Sequence, residues 1–285
     1  KFYNSDGTDI NKWAKIFYFV YLILWGGILF TMQWNATTAI YIPYGSSNSL
    51  GGKLLISGLI AIVCLYITST GIKALSRAAV IAAAIGALCL IIVSVSAIFK
   101  SDYGNIFHVK SSKSFVKELI KGFAISGGSG SLVVLLSMTK GKSHKSLTGY
   151  FFGKIILTVI VTMTAILVAG SIMEITDFPV IAAAQFSQPF DVQRIDSMFL
   201  IVFAIFAVFA IGVQTVTAAY LLGEIIPAFK KFRSTTSLIL MIGAAFMLAE
   251  AERYGLLYAS ATVIALFIIP LAMLIQKKIS QKLLT

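Results

Sequence analysis

Long apolar stretches separated by short polar segments dominate the chain. Eight such runs, at 16–34, 54–72, 78–99, 115–138, 149–169, 197–222, 235–248 and 255–275, approach the roughly 20 apolar residues that a bilayer-crossing helix needs. Strands of a membrane barrel would instead alternate over ~10-residue segments, and no such alternation is visible. The pattern therefore predicts an all-α fold: a polytopic membrane helix bundle of about eight transmembrane helices forming one transmembrane domain. The run at 235–248 is the shortest. Connections such as IPYGSSNSLGG, TKGKSHKS and IIPAFKKFRS carry turn formers and charge, and none is long enough for a soluble domain.

Composition agrees. Hydrophobic residues make up 58% of the 285 and charged residues 12%, with a mean hydropathy of +0.92, whereas soluble domains are about half apolar and a quarter charged. The formal net charge of +12 does not point to nucleic acid, because the basic residues sit in short clusters between the spans. Lys73 and Arg77, Lys140, Lys142 and Lys145, Lys230, Lys231 and Arg233, and Lys277, Lys278 and Lys282 fall on alternate connections. The positive-inside rule makes that side cytoplasmic, with both ends of this chain inside. Lys100, Lys110, Lys113, Lys117 and Lys121 depart from the rule on the opposite side. Cys64 and Cys89 lie within apolar runs with no CxxC spacing and read as small buried side chains.

One segment breaks the pattern from within. The sequence ISGGSGS at 125–131 interrupts the fourth run with three glycines and three serines. Glycine costs about 1 kcal/mol relative to alanine in a helix, and serine competes for backbone hydrogen bonds. Small residues every fourth position would read as a helix-packing face; six in succession cover every side and predict two half-helices. Inside hydrocarbon, freed backbone groups survive only when buried in protein or lining a wet or ligand-filled cavity. The inner half-helix would begin near Ser129, Gly130 and Ser131, presenting N–H groups and a positive dipole end suited to a carboxylate. The outer half would end near Ala124 and Ile125, offering carbonyls to an ammonium. Ile125, Ser126, Gly127, Gly128, Ser129, Gly130 and Ser131 are thus candidate ligand-binding residues.

Catalytic readings are weak. GGSG at 127–130 meets the GxSG pattern of rhomboid proteases, but His108 and His144 fall in loops on opposite sides, away from a nucleophile at Ser129. GKS at 141–143 lacks the upstream glycine of a phosphate-binding loop. No metal or cofactor motif is present, and no Asp or Glu lies at the centre of a span. Lys154, five residues into its run, reads as a side chain that snorkels to the interface.

The run DFPVIAAAQFSQPFDVQRIDSMFLIVFAIFAVF, with Pro179 and the Arg194, Ile195, Asp196 triplet, resembles the spore germination permease family, the B subunits of nutrient germinant receptors. GIKALSR at 71–77 and FIIPLAMLI at 267–275 look like that family's inner loop and last helix. The family is similar to amino acid permeases of the APC superfamily, with a leucine-transporter-like fold of ten helices in two inverted five-helix repeats. On this alignment the broken fourth run is the family's sixth helix, residues 16–99 are the remainder of the first repeat, 115–275 are the second, and two N-terminal helices are missing.

By the same analogy the first and sixth runs line the ligand cavity. Tyr18, Tyr21 and Trp25 recur on one face of the first. Phe203, Ala207, Ala210, Gln214 and Thr217 form a stripe on the sixth, with Thr215 beside it. Tyr21, Trp25, Gln214 and Thr215 join the candidate ligand-binding set. The resemblance implies a subunit in the spore inner membrane that senses a small nutrient, an amino acid, and signals through membrane-anchored A and lipoprotein C partner subunits. A small-solute symporter of the same architecture and a structural subunit with a vestigial cavity remain the alternatives.

Overall fold

The computed structural model describes residues 9–41, 50–100, 103–105, 130–138, 144–170, 196–248, 261–262, 264 and 268–271. They form α1 (Asp9–Tyr41), α2 (Leu50–Thr70), α3 (Ile72–Lys100), α4 (Gly130–Met138), α5 (His144–Ala169), α6 (Asp196–Ile225), a 3-10 turn (Pro227–Lys231) and α7 (Arg233–Met247). Among the described residues there is no strand, and α1, α2, α3, α5 and α6 are each long and apolar enough to cross a membrane. The protein is an all-α membrane helix bundle.

Two of its turns follow directly from the residues that make them. Gly71, at φ +87°, occupies a left-handed conformation that only glycine adopts without strain, so one residue reverses the chain between α2 and α3. Residues 73–77, expected as a basic loop, are therefore helical, and Lys73 and Arg77 lie exposed in the first turns of α3. The charges marked the membrane edge, not the helix boundary. Pro227 ends α6 because proline lacks an N–H and pushes the preceding residue out of helical geometry; Ile226 is extended at φ −131°, ψ 93°. Its own N–H still closes the last α-turn on the Leu222 carbonyl at 2.9 Å.

Contacts fix the helix directions. Gly26 meets Met241 and the Thr31 hydroxyl reaches the Ala245 carbonyl, so α1 and α7 run parallel. Lys15 pairs with Glu224 and Thr215 meets Met241, so α6 runs opposite to both. Cys64 donates to the Val208 carbonyl and Ile67 lies by Gly212, which makes α2 parallel to α6. Ser94 bonds Thr164 and Asn105 bonds the Leu167 carbonyl, which makes α5 parallel to α3. The starts of α1, α3, α5 and α7 share one end of the bundle. Only five residues separate Met138 from the start of α5, so α4 descends to that same end. Lys73, Arg77, Lys230, Lys231 and Arg233 gather there.

The core is built on α1. Of its apolar window 56% is buried, against 6% for the window in α5, so α1 is the hub and α5 the periphery. Fully buried Tyr18, Leu22, Phe30 and Trp34 of α1 pack with Ile211 and Leu221 of α6 and with Leu238 and Met241 of α7. Trp34 donates to the Ser57 hydroxyl at 2.9 Å and stacks obliquely on Phe246 at 4.9 Å. Outward, α2, α3 and α5 present Leu59, Ile62, Val80, Leu88, Phe152 and Ile155; a soluble protein rarely leaves so much apolar surface uncovered, whereas lipid solvates it. Serine and threonine hydroxyls within the spans fold back on carbonyls three or four residues earlier, as Thr31 does on Gly27 and Thr217 on Val213, which satisfies them without water.

At the basic end the Lys15 ammonium and the Glu224 carboxylate lie 2.9 Å apart, with side chains 16% and 35% exposed. Pairs this open to solvent contribute little. Glu224→Gln is expected to lower stability by about 0.5–1 kcal/mol, and the difference in melting temperature should shrink as NaCl is raised. A loss of several kcal/mol, insensitive to salt, would mean that the pair is desolvated.

Candidate functional site

The described part of α4 begins at Gly130, the sixth residue of the Gly/Ser segment, and Gly130 is pressed against α1. A Cβ placed on Gly130 would overlap the Tyr21 ring, 3.0 Å from Cζ and 3.1 Å from the hydroxyl oxygen. Glycine is what lets the backbone come this close. Ser131, the next residue, is buried.

Tyr21 is itself fixed. Its ring is buried, and its hydroxyl shares a hydrogen bond of 3.3 Å with the buried Thr262 hydroxyl. Tyr18 and Trp25, on the same face of α1, are buried as well. The aromatic face is therefore turned into the bundle and not toward lipid headgroups.

Depth follows from the Lys15–Glu224 pair. Trp25 lies ten residues beyond Lys15 and Gln214 ten residues before Glu224, so in antiparallel helices both stand about 15 Å from that anchor. This is the middle of the apolar windows 12–37 and 201–225. Tyr21 and Gly130 sit one helical turn nearer the basic end.

Gln214 is 3% exposed and its Oε1 has no hydrogen-bond partner. Val208, Gly212 and Thr215 of α6 face α2, α3 and α7. The adjoining stripe of Gln214, Thr217, Ala218 and Leu221 is also buried, and Ala218 and Leu221 share a core with Tyr18, Tyr21 and Val134 of α4. Thr215 belongs elsewhere: it is fully buried, donates to the Ile211 carbonyl at 2.8 Å and lies 3.8 Å from the Met241 sulfur.

Of the residues singled out in the sequence, the structure sets Gly130 against Tyr21, buries Ser131, Trp25 and Gln214, and turns Thr215 to α7. Ile125, Ser126, Gly127, Gly128 and Ser129 lie outside the described residues, as does the outer half-helix expected before them. Thr262 and Met241 were not singled out: a lone threonine in ASATVIALF and a methionine in an apolar helix carry no local signal of what they touch.

Within the described residues the carboxylates, Asp9, Asp196 and Glu224, stand at or near helix ends. Half-buried Lys154 lies on peripheral α5. No group of three metal-ligating side chains occurs among them, and Cys64 and Cys89 are free thiols, the first buried and the second half-buried. The buried polar side chains at mid-bundle are hydroxyls, a carboxamide and an indole. Comparison with protein-family models, characterised proteins and solved structures finds no match for the chain.

Proposed function

We propose that the chain binds a small nutrient, an amino acid, at mid-depth and acts as the membrane subunit of a spore germinant receptor in the spore inner membrane, together with A and C subunits. The observation that carries the binding role is the close approach of Gly130, from the Gly/Ser segment, to the buried Tyr21 ring in the middle of the bundle. The break that the Gly/Ser composition of 125–131 predicts would supply oriented N–H groups and half a positive charge at that depth, which favours a carboxylate in a low-dielectric setting. The receptor role draws on the resemblance of the segments around Pro179, Arg194–Asp196 and 71–77 to the germination permeases. On this reading the basic end faces the cytoplasm.

A symporter is the second reading, and one observation favours it. Gln33 is buried, and its Oε1 also lacks a partner. It lies eight residues beyond Trp25, about 12 Å further from the basic end, as a polar route past the site would require.

Equilibrium binding of radiolabelled L-amino acids to the full chain in lipid nanodiscs tests the shared premise, with saturable binding of at least one expected. Counterflow of the bound amino acid in liposomes then separates the two readings: none for a receptor, accumulation for a symporter. No saturable binding by the chain or its assembled complex would leave only a structural subunit.

A further inference from the structure

The turn that joins α6 to α7, IPAFKKFR at 226–233, sets exposed aromatic rings beside unneutralised cations. The Phe232 N–H donates to the Phe229 carbonyl at 3.0 Å, and positions three apart eclipse in a 3-10 turn. The two phenyl side chains are 45% and 60% exposed. Lys230, Lys231 and Arg233 beside them are exposed as well, and the Lys231 ammonium stands 5.5 Å from the centre of the Phe232 ring. Arg233 packs along Gly223 of α6, where an added Cβ would lie 3.5 Å from Nη1 and 3.6 Å from Cδ. Among the described residues the ion pair at this end is Lys15 with Glu224, so Lys230, Lys231 and Arg233 have no carboxylate to neutralise them.

Depth says what covers the turn. The membrane-crossing windows Lys12–Thr37 of α1 and Ile201–Ile225 of α6 both stop at this end, so residues 226–233 stand where hydrocarbon gives way to headgroups. In water two open phenyl rings would be an uncovered apolar patch. At the boundary the rings enter the acyl region while the cations reach the phosphates, the division of labour of an interfacial segment. Trp13 of α1, 70% exposed, lies two residues beyond the Lys15 anchor toward the same boundary, a level at which indoles are enriched.

We infer that this turn is a docking site for phospholipid with an anionic headgroup, its phosphodiester held by Lys230, Lys231 and Arg233 and its chains lying against Phe229, Phe232 and Trp13. Charge complementarity selects the lipid. A zwitterionic headgroup brings its own cation beside the phosphate and leaves three protein cations without a net counter-charge, whereas an anionic one supplies it. A guanidinium also matches phosphate oxygens with paired N–H groups. The site does not depend on any ligand at mid-depth.

The test puts a reporter in the turn, Phe232→Trp in a Trp13→Phe background, on the full chain in nanodiscs of equimolar phosphatidylcholine and phosphatidylglycerol. Bromine is carried on the acyl chains of one lipid or the other. Trp25 and Trp34 are 7% and 1% exposed, so quenching by the brominated chains reports the indole at 232. Brominated phosphatidylglycerol is expected to quench more, corresponding to a local preference of at least about fivefold, what one cation near an anionic surface contributes. Molar NaCl should bring the preference close to unity, as should the triple change Lys230→Gln, Lys231→Gln and Arg233→Gln. If the triple variant does not insert, the salt titration of the intact turn decides. Equal quenching by the two lipids at low salt, or a preference that neither salt nor the triple change lowers, overturns the anionic site. Quenching by neither lipid means that the turn meets water or a soluble partner, and overturns the lipid contact altogether.

Discussion

Gly130→Val is expected to weaken amino-acid binding by the full chain at least about a hundredfold, roughly 3 kcal/mol, while the protein still inserts and elutes as a single species. The cause is steric. The first added carbon would already overlap the Tyr21 ring, and that ring is buried and tied to Thr262, so it cannot swing aside without breaking its hydrogen bond. The backbone at Gly130 must therefore withdraw from α1, and the Gly/Ser segment with it. A displacement of an ångström in oriented donors is enough to lose most of their interaction, since hydrogen bonds weaken steeply with distance and angle. Gly130→Ala should fall between parent and valine, because it adds one carbon. Radioligand saturation in nanodiscs measures all three; equal affinities would remove the start of α4 from the site.

The second large effect is expected on stability. Gly27→Leu should lower the stability of the folded bundle by about 3 kcal/mol or more, at the upper end of overpacking costs. A Cβ at Gly27 would lie 3.0 Å from the Ala244 Cβ, 3.0 Å from the Ala245 amide nitrogen and 3.1 Å from the Ala244 carbonyl carbon. Those are methyl and backbone atoms of a helix, with no rotamer to yield, so α1 and α7 would have to separate. Small residues at the crossing are what allow two helices this approach, and in a bilayer such packing, not apolar burial, holds them together. Gly26 provides the control. There the added carbon would meet Sδ and Cγ of Met241, a flexible side chain that can shift, so Gly26→Ala should be tolerated far better than Gly27→Leu. Thermal melts in detergent followed by intrinsic fluorescence rank the pair. Equal melting temperatures for Gly27→Leu and the parent would mean that α1 and α7 do not approach this closely.

The helices were legible wherever the signal was the length of an apolar run. Runs 54–72, 149–169 and 197–222 correspond to Leu50–Thr70, His144–Ala169 and Asp196–Ile225 within a few residues. The basic residues misled locally, at 73–77 and again at Lys145 and Arg233, which lie in the first turns of α5 and α7, because charge reports where a chain meets water and not where a helix starts. The inward face of α1 was partly legible, since Tyr18, Tyr21 and Trp25 carry polar tips at helical spacing. Gln214 could be placed on a stripe; its lack of a partner could not, because that depends on what neighbouring helices offer.

By itself the amino-acid order determined that the chain is a set of membrane-crossing helices, where most of them run, that the basic connections alternate, and that residues 125–131 are the weakest helix formers in the fourth run. These are properties of short stretches, decided by the length of an apolar run, the φ available to glycine and the hydration of lysine and arginine. Only the tertiary structure decided that α1 is the hub and α5 the rim, that Gly130 rests on a tyrosine 109 residues away, and that Thr215 looks to α7. The reason lies in the solvent. In water an apolar stripe reveals which side of a helix is buried; in a bilayer the lipid is as apolar as the core, so the sequence carries little contrast between inside and outside, and the packed neighbours alone make the choice.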